Sequence, residues 1–431
     1  MSGWRAGTAS AIITPDEPLW LAGFAARTKP AQGKISDLHV SALALEDEAG
    51  ERLVIASMDI IAITRIVADP VFERVREATG LSRERLILAA THTHFGPEFR
   101  PDKVLFFKIP PGYADKVTAT AAKLADAFVQ VITDALDRLE PVRLFVRETA
   151  AGFAHNRRRD GVKGGNPSKE DILDQSVPVL DCLDASTDRR KAIVFGYACH
   201  NTTIPPEDGR YCADWAGFAK EQLERSHPGA TPVFITGCGA DQNPEPRGSV
   251  ELSRQYGQEL AAAVEQSFSS PGREITGELR VAMEDVPLAL EPVTRQDIAA
   301  MIATKDDPPK QVKGKFLLDQ LDRGEALIAS YPAPLQVVRF GDELLMIVMS
   351  GETVVDWSLK FKRQFARAGR IVWVAGYCND MFGYIPTRRI QQEGGYEGGR
   401  ATLWSWVPAP WAADVEDRIT AAVTRLVYRV S

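Results

Sequence analysis

Short apolar runs of the strand type alternate with amphipathic helical segments along most of this 431-residue sequence. The run Leu86–Ala90 carries no polar side chain, which is typical of a strand that is buried on both faces. It follows a segment that is predicted to be a helix opening at Asp69-Pro70 and stopping at Gly80. The alternation predicts an α/β protein in which helices cover a mixed central sheet in α/β/α layers.

The same patterns predict most of the remaining elements. A long Ala-rich helix is expected from about Tyr113 to Leu139, and 336–349 is expected to form a hairpin around Gly341-Asp342. Further strands are predicted over 142–147, 192–198, 232–236 and 371–375. The segment 304–314 is the most loop-like interior stretch. We therefore predict one domain over 1–431, in which 295–330 is either an inserted lobe or the site of a boundary.

Composition excludes several classes of partner. The net charge is −7 and basic runs are short, so nucleic acid is not expected as a partner. No apolar stretch is long enough to cross a membrane, and the first residues do not form a secretion signal. Five cysteines without a CxxC pair suit a reducing compartment. A cytoplasmic protein is expected, and a homo-oligomer is left open.

Polar side chains follow several of the predicted strands. His92 and His94 come directly after Leu86–Ala90, and alternation along a continuing strand would put both on one face. His200 follows another strand, and Glu352 follows the hairpin. Catalytic zinc takes imidazole and carboxylate ligands and leaves one position for water. The sequence thus predicts a candidate zinc site at the carboxyl edge of the sheet.

Each of these residues also has a structural interpretation. The histidines would equally serve as hydrogen-bonded turn residues, and Glu352 as an acid that starts the next helix. Arg157 would either place a guanidinium against a carbonyl or carboxylate, or lie in a solvated turn. The glycines around Tyr396 indicate either a backbone that passes close to another group or adopts positive φ, or a glycine-rich surface loop without a functional role.

A series of short motifs runs through the chain in a fixed order. They are Leu21–Phe24 (LAGF), Ala90–Pro97 (ATHTHFGP), His155–Arg158 (HNRR), Ala198–His200 (ACH), Gly237–Pro244, Ser350–Glu352 (SGE) and Tyr396–Gly399 (YEGG). Together they resemble the N-terminal catalytic domain of the neutral/alkaline, non-lysosomal ceramidase family. The chain ends before the C-terminal immunoglobulin-like domain of the secreted members, so the resemblance is to a shorter relative.

Members of that family are zinc amidases that cleave the N-acyl bond of ceramide. The resemblance implies a set of four zinc ligands, which are His92, His200, Glu352 and Tyr396. It also places His94 near the zinc-bound water as a proton carrier, and Arg157 or Tyr384 near the acyl carbonyl. Asp214 or Asp241 would fix the tautomer of one of the ligating imidazoles.

The resulting hypothesis is a zinc-dependent amidohydrolase. It would cleave an N-acyl amide bond in a ceramide-like lipid or a smaller N-acylated compound by attack of a zinc-bound water. Two alternatives remain: an esterase, lactamase or phosphoesterase using the same site, and a non-catalytic binding protein with a degenerate metal site. Phe106, Phe107 and Ile109 are expected to cap the long helix or, alternatively, to form a lipid-receiving rim.

Overall fold

The computed structural model describes residues 3–158 and 172–431. The strands are β1 Trp4–Ile12, β2 His39–Glu46, β3 Arg52–Met58, β4 Leu86–Ala90, β5 Glu140–Ala150, β6 Ala154–Asn156, β7 Ser176–Asp184, β8 Arg190–Tyr197, β9 Thr231–Thr236, β10 Gln242–Pro244, β11 Arg273–Ile275, β12 Leu279–Ala289, β13 Ser330–Phe340, β14 Leu344–Met349, β15 Glu352–Thr353, β16 Ile371–Ala375 and β17 Tyr384–Ile385. The helices are α1 Arg65–Thr79, α2 Pro101–Phe106, α3 Ala114–Leu136, α4 Asp214–Ser226, α5 Val250–Phe268, α6 Arg295–Ala303, α7 Pro308–Asp322, α8 Val355–Gln364, α9 Arg388–Glu393 and α10 Val415–Val430. The predicted α/β class is confirmed.

The larger sheet is mixed, as predicted. Its strands lie in the order β4-β3-β2-β1-β5-β7-β8-β9, and β11 also pairs with β5. The pairs β3–β4 and β8–β9 are parallel, whereas the central pairs are antiparallel. The two end strands approach each other, as shown by the hydrogen bond of 2.8 Å from Thr236 Oγ1 to the carbonyl of Ala90. The sheet therefore curls, and the carboxyl ends of β4, β8 and β9 lie close together.

A second sheet, in the order β12-β13-β14-β16, packs against the first. Side chains of β14 alternate between two cores: Met346 and Val348 pack with residues of the first sheet, while Ile347 and Met349 pack with α8 and α10. Helices α1 and α3 cover the opposite face of β1–β4. The structure therefore adds a second sheet to the predicted layers.

Two local predictions need correction. Helix α1 begins at Arg65, one turn before Asp69-Pro70, and Pro70 lies inside it. Val67, Ala68 and Val71 are all buried on one face, and burying that face offsets the hydrogen bond that Pro70 cannot donate.

The predicted loop at 304–314 is also wrong for most of its length. Helix α7 begins at Pro308, and Pro308-Pro309 occupy its first turn, where the missing backbone N–H groups cost nothing. Helices α6 and α7 therefore fill the segment between β12 and β13. Among the described helices, none is long and apolar enough to cross a membrane.

Candidate metal centre

The predicted site residues lie where strands of both sheets end. His92 follows β4, His200 follows β8, and Glu352 follows β14. A parallel bridge between Thr93 and Asn201 ties the first two segments together. Ligating atoms of His92, His94 and His200 all lie within 4.8 Å of one another.

The two histidines of the THTH motif meet by a different route from the one predicted. Strand β4 ends at Ala90, and His92 has a φ of 60°, in the left-handed region. The predicted convergence of the two side chains is found, but strand alternation does not produce it, because the strand does not continue beyond Ala90. The turn instead points both rings inward, with His94 Nε2 3.3 Å from His92 Nε2. A strained backbone of this kind is common at functional sites.

Backbone carbonyls fix the orientation of two imidazoles. Nδ1 of His92 lies 2.7 Å from the carbonyl of Ile61, and Nδ1 of His200 lies 2.7 Å from the carbonyl of Gly239. A carbonyl can only accept, so Nδ1 carries the proton in both rings. Burial also lowers the pKa of both histidines, which favours the neutral form. Each Nε2 therefore presents a lone pair to the centre of the site.

Neither aspartate that was expected to orient an imidazole does so. Asp214 accepts hydrogen bonds from the Thr203 amide and the Ser253 hydroxyl. Asp241 accepts from the Val355 amide and the Asn156 side chain. Both carboxylates satisfy backbone and side-chain donors around the site, while carbonyls perform the orienting role.

The carboxylate of Glu352 completes an arrangement that calls for a cation. Its Oε2 lies 3.6 Å from His92 Nε2 and 3.7 Å from His200 Nε2. This oxygen is buried and has no hydrogen-bond partner among the described residues. The two imidazole Nε2 atoms and this carboxylate oxygen are therefore available to a divalent metal, and zinc takes nitrogen and oxygen ligands of this type.

The remaining predicted residues stand around the same space. Tyr396 lines the cavity next to Glu352, remains 41% exposed, and packs edge-on against Tyr384 with ring centroids 5.2 Å apart. Arg157 donates through Nη2 to the Tyr384 hydroxyl at 3.4 Å, and its guanidinium carbon lies 5.7 Å from the Tyr396 ring centroid. Five of the seven predicted site residues line the cavity, namely His92, His94, Glu352, Tyr384 and Tyr396. His200 and Arg157 lie directly behind them, in contact with Glu352 and with Tyr384 respectively.

Several supporting residues were not predicted. Glu397 accepts from Arg157 Nε and from Arg158 Nη1, both at 2.6 Å, and so holds one half-buried and one buried guanidinium group. The Tyr396–Gly399 motif contained this signal, because Glu397 directly follows the predicted ligand. Arg100, which lines the cavity and pairs with buried Glu98 through two hydrogen bonds, has no comparable signal in the sequence.

A cavity of about 360 Å³ opens above the histidines. Its walls are mainly apolar and include Phe24, Phe107, Met381, Phe382, Trp404, Trp406 and Trp411. Phe106, Phe107 and Ile109 are buried in a cluster with Trp20, which supports the helix-capping interpretation, although Phe107 also reaches the cavity. The site therefore combines a polar, metal-compatible floor with walls suited to an apolar group.

Comparison with known proteins agrees with this geometry. The family model "Neutral/alkaline non-lysosomal ceramidase, N-terminal" matches residues 5–280. The neutral ceramidase of Pseudomonas aeruginosa is 23% identical, over 99% of this chain and 73% of that protein. The crystal structure of that enzyme superposes with a TM-score of 0.75 at 22% identity, covering 99% of this chain and 75% of the other. A structure described as ceramidase complexed with C2 gives 0.75 at 21% identity, covering 100% and 76%. Because the family model matches more than half of the sequence, the chain belongs to the neutral/alkaline non-lysosomal ceramidase family.

Proposed function

We propose that this protein is a zinc-dependent amidohydrolase that cleaves the N-acyl amide bond of a ceramide-like lipid or a smaller N-acylated compound. One observation carries the proposal. Two unprotonated imidazole nitrogens, of His92 and His200, converge on the unpartnered Oε2 of Glu352 at the floor of an apolar cavity. Membership of the ceramidase family supports the choice of an amide bond.

The metal would be held by four residues, which are His92, His200, Glu352 and Tyr396. When bound, zinc polarises a carbonyl and lowers the pKa of water to about 7. The chain's own contribution is to orient two of these ligands through the carbonyls of Ile61 and Gly239.

His94 is the proposed proton carrier. Its Nε2 faces the metal ligands, and its Nδ1 is buried without a hydrogen-bond partner among the described residues. The ring is held by the Phe24 side chain, with centroids 4.7 Å apart. An imidazole held in this way can take a proton from the attacking water and deliver it to the leaving amine.

Arg157 and Tyr384 are the proposed partners of the acyl carbonyl. The guanidinium and the hydroxyl lie together at the cavity, and Glu397 fixes the guanidinium from the other side. Donors that are already oriented stabilise the charge that develops on a carbonyl oxygen during attack. Arg157 and Tyr384 would therefore act mainly in the transition state.

Elemental analysis tests the metal. We expect about one zinc per chain in the native protein, and much less in Glu352→Gln, because the substitution removes a ligand charge while keeping the side-chain volume. Glu224→Gln, at an exposed position of α4, is the matched control and should retain the metal. Native protein that neither contains nor takes up zinc would contradict the proposal.

A substrate panel tests the bond. N-acyl amides, including a short-chain ceramide, are compared with the corresponding esters and with a phosphoester at equal enzyme concentration. We expect amide turnover that is abolished in Glu352→Gln and retained in Glu224→Gln. Turnover confined to the ester or phosphoester would replace the amidase assignment, and binding without any turnover would indicate a non-catalytic relative.

A further inference from the structure

One wall of the cavity is formed by a segment that is mostly outside regular helices and strands. A short 3-10 helix spans Arg400–Trp404, and the chain then continues without regular structure through Val407. Trp404 and Trp406 line the cavity from this segment, which we call the tryptophan wall (residues 400–407). Backbone carbonyls outside helices and sheets need other partners when they are buried.

Two lysine side chains provide these partners. Lys103 Nζ, from α2, donates to the carbonyl of Trp404 at 2.6 Å. Lys313 Nζ, from α7, donates to the carbonyl of Ser405 at 2.6 Å and also to that of Val407. Ammonium groups from two different helices thus hold consecutive parts of the tryptophan wall.

Lys313 occupies an energetically costly position. The residue is 1% exposed, and it makes no ion pair within the described ranges 3–158 and 172–431. Burial, together with the nearby charge of Lys103, lowers the pKa of Lys313 to about 7. Buried lysines without a carboxylate are rare because desolvation of the charge is unfavourable. The rings of Phe106 and Phe316, at 5.6 and 5.7 Å, recover only part of this cost.

An ion pair ties the beginning of the wall to the same helix. Arg400 makes two hydrogen bonds of 3.1 Å to Asp307, the residue that precedes α7. The wall is therefore fastened at Arg400 and again at Ser405 and Val407, in both cases to α7 or its N-terminus. Helix α7 supports the cavity from behind without lining it.

We propose that Lys313 and Lys103 are positioning residues that fix the tryptophan wall and thereby restrict the cavity to compact apolar acyl groups. The inference rests on the proposed function, which it deepens by naming the substrate class. A cavity of about 360 Å³ is near the small end of the usual range for ligand pockets, roughly 300–1,000 Å³. A wall attached by lysine hydrogen bonds at three carbonyls and by an ion pair at Arg400 resists moving aside for a long chain.

The test uses Lys313→Met and Lys103→Met, which keep an unbranched apolar stem but remove the ammonium. Lys315→Met is the matched control, since Lys315 lies on α7 two residues away and is exposed. For each protein, kcat and KM are measured on amides of one amine with acyl chains from two to sixteen carbons. We expect wild type and control to have a higher kcat/KM for short than for long acyl groups. In the two variants this ratio of short-chain to long-chain kcat/KM should fall about tenfold, mainly through KM.

Uniform loss of kcat at every chain length, or an unchanged acyl preference in both variants, would overturn the inference. If Lys313→Met does not fold, Arg400→Gln carries the same test, because it removes one attachment of the wall without changing the cavity lining. Lys103 itself lines the cavity, so Lys103→Met is read only together with one of these two variants. Retained cooperative unfolding and zinc content identify the variants that are folded.

Binding of free fatty acids separates this inference from the proposed function. Calorimetry with saturated fatty acids of two to sixteen carbons needs no turnover. If no amide is hydrolysed but wild type prefers short acids and Lys313→Met does not, the proposed function fails and the wall inference survives. If amides are hydrolysed while neither acids nor amides reveal a difference between wild type and the variants, only the wall inference fails.

Discussion

Gly23 lies directly against the proposed proton carrier. It has a φ of +93°, and an added Cβ would come within 2.4 Å of the His94 ring. We predict that Gly23→Ala displaces that ring and lowers kcat by about 100-fold, since a shift near 1 Å costs this much in catalysis. The zinc content should remain near that of wild type, because His94 is not one of the four proposed ligands.

Gly112→Ala is the control, because nothing lies within 4 Å of an added Cβ there. Kinetics and elemental analysis on both variants check the prediction. Equal activity of Gly23→Ala and wild type would show that the His94 ring position is not critical.

Glu397 pairs with buried Arg158 and with half-buried Arg157. Glu397→Gln leaves Arg157 without a carboxylate partner, whereas Arg158 retains Glu393 at 3.0 Å. The expected cost is therefore at the lower end of the roughly 3–5 kcal/mol seen when a buried ion pair is broken. We expect lower stability in urea denaturation together with a reduced kcat, because Arg157 would no longer be held beside Tyr384. A stability equal to that of wild type would contradict the structural role given to this carboxylate.

Sequence reasoning identifies the site residues unevenly, and the reason is physical. His92, His200 and Glu352 are recognisable because each follows an apolar strand, and ligands gather at that edge. Gly23 and Glu397 act through contacts with His94 and Arg157, far along the chain. The motifs mark both positions, but they do not show which residues Gly23 and Glu397 contact, so only the folded arrangement shows their roles.

Asp241 joins three elements and gives the site a dependence on pH. Its carboxylate accepts from Val355 at the start of α8 and from Asn156 of β6, and burial raises its pKa to about 6. The unfolded chain has an aspartate pKa near 3.9. Between about pH 4 and pH 6 the folded protein therefore holds the proton more tightly. The stabilisation is fully present below pH 4 and is lost as the pH rises through 6, by about 3 kcal/mol.

Urea denaturation of wild type and Asp241→Asn between pH 4 and 8 measures this effect. Titration of all other groups is common to both proteins, so the difference in unfolding free energy isolates Asp241. We predict that the unfolding free energy of wild type, relative to that of Asp241→Asn, falls between pH 4 and about pH 6 and is constant above it. A difference that does not vary with pH would mean that Asp241 is ionised throughout the range.

The elements themselves were predicted best where burial is complete. Strands such as β4 and β16 are continuous apolar runs, and their bounds match the sequence pattern closely. Helix α7 was mistaken for a loop because Lys305–Lys310 is charged and contains two prolines. Prolines at the first turn of a helix and prolines in a loop look alike in sequence, and packing against α6 and the tryptophan wall decides between them.

The whole molecule depends on pairings that the sequence does not display. The α/β class follows from alternation of elements, but the curl that joins β4 to β9 and the stacking of a second sheet are set by tertiary contacts. A sheet that is apolar on both faces can be covered either by helices or by another sheet. The predicted α/β/α layers therefore do not include the second sheet, which only the folded structure shows.

These long-range connections would make the proposed metal a stabilising link between distant parts of the chain. His92, His200 and Glu352 come from distant segments, so the unfolded chain has no comparable site and metal binding favours the folded state. Free zinc at about 1,000 times its dissociation constant would add roughly 4 kcal/mol. We predict that chelation lowers the melting temperature of wild type by several degrees and that added zinc restores it. Glu352→Gln should start near the lower value and respond to neither treatment, whereas Glu224→Gln should behave as wild type does. A melting temperature that is the same with and without chelator in metal-loaded wild type would show that the site does not join these segments through a metal.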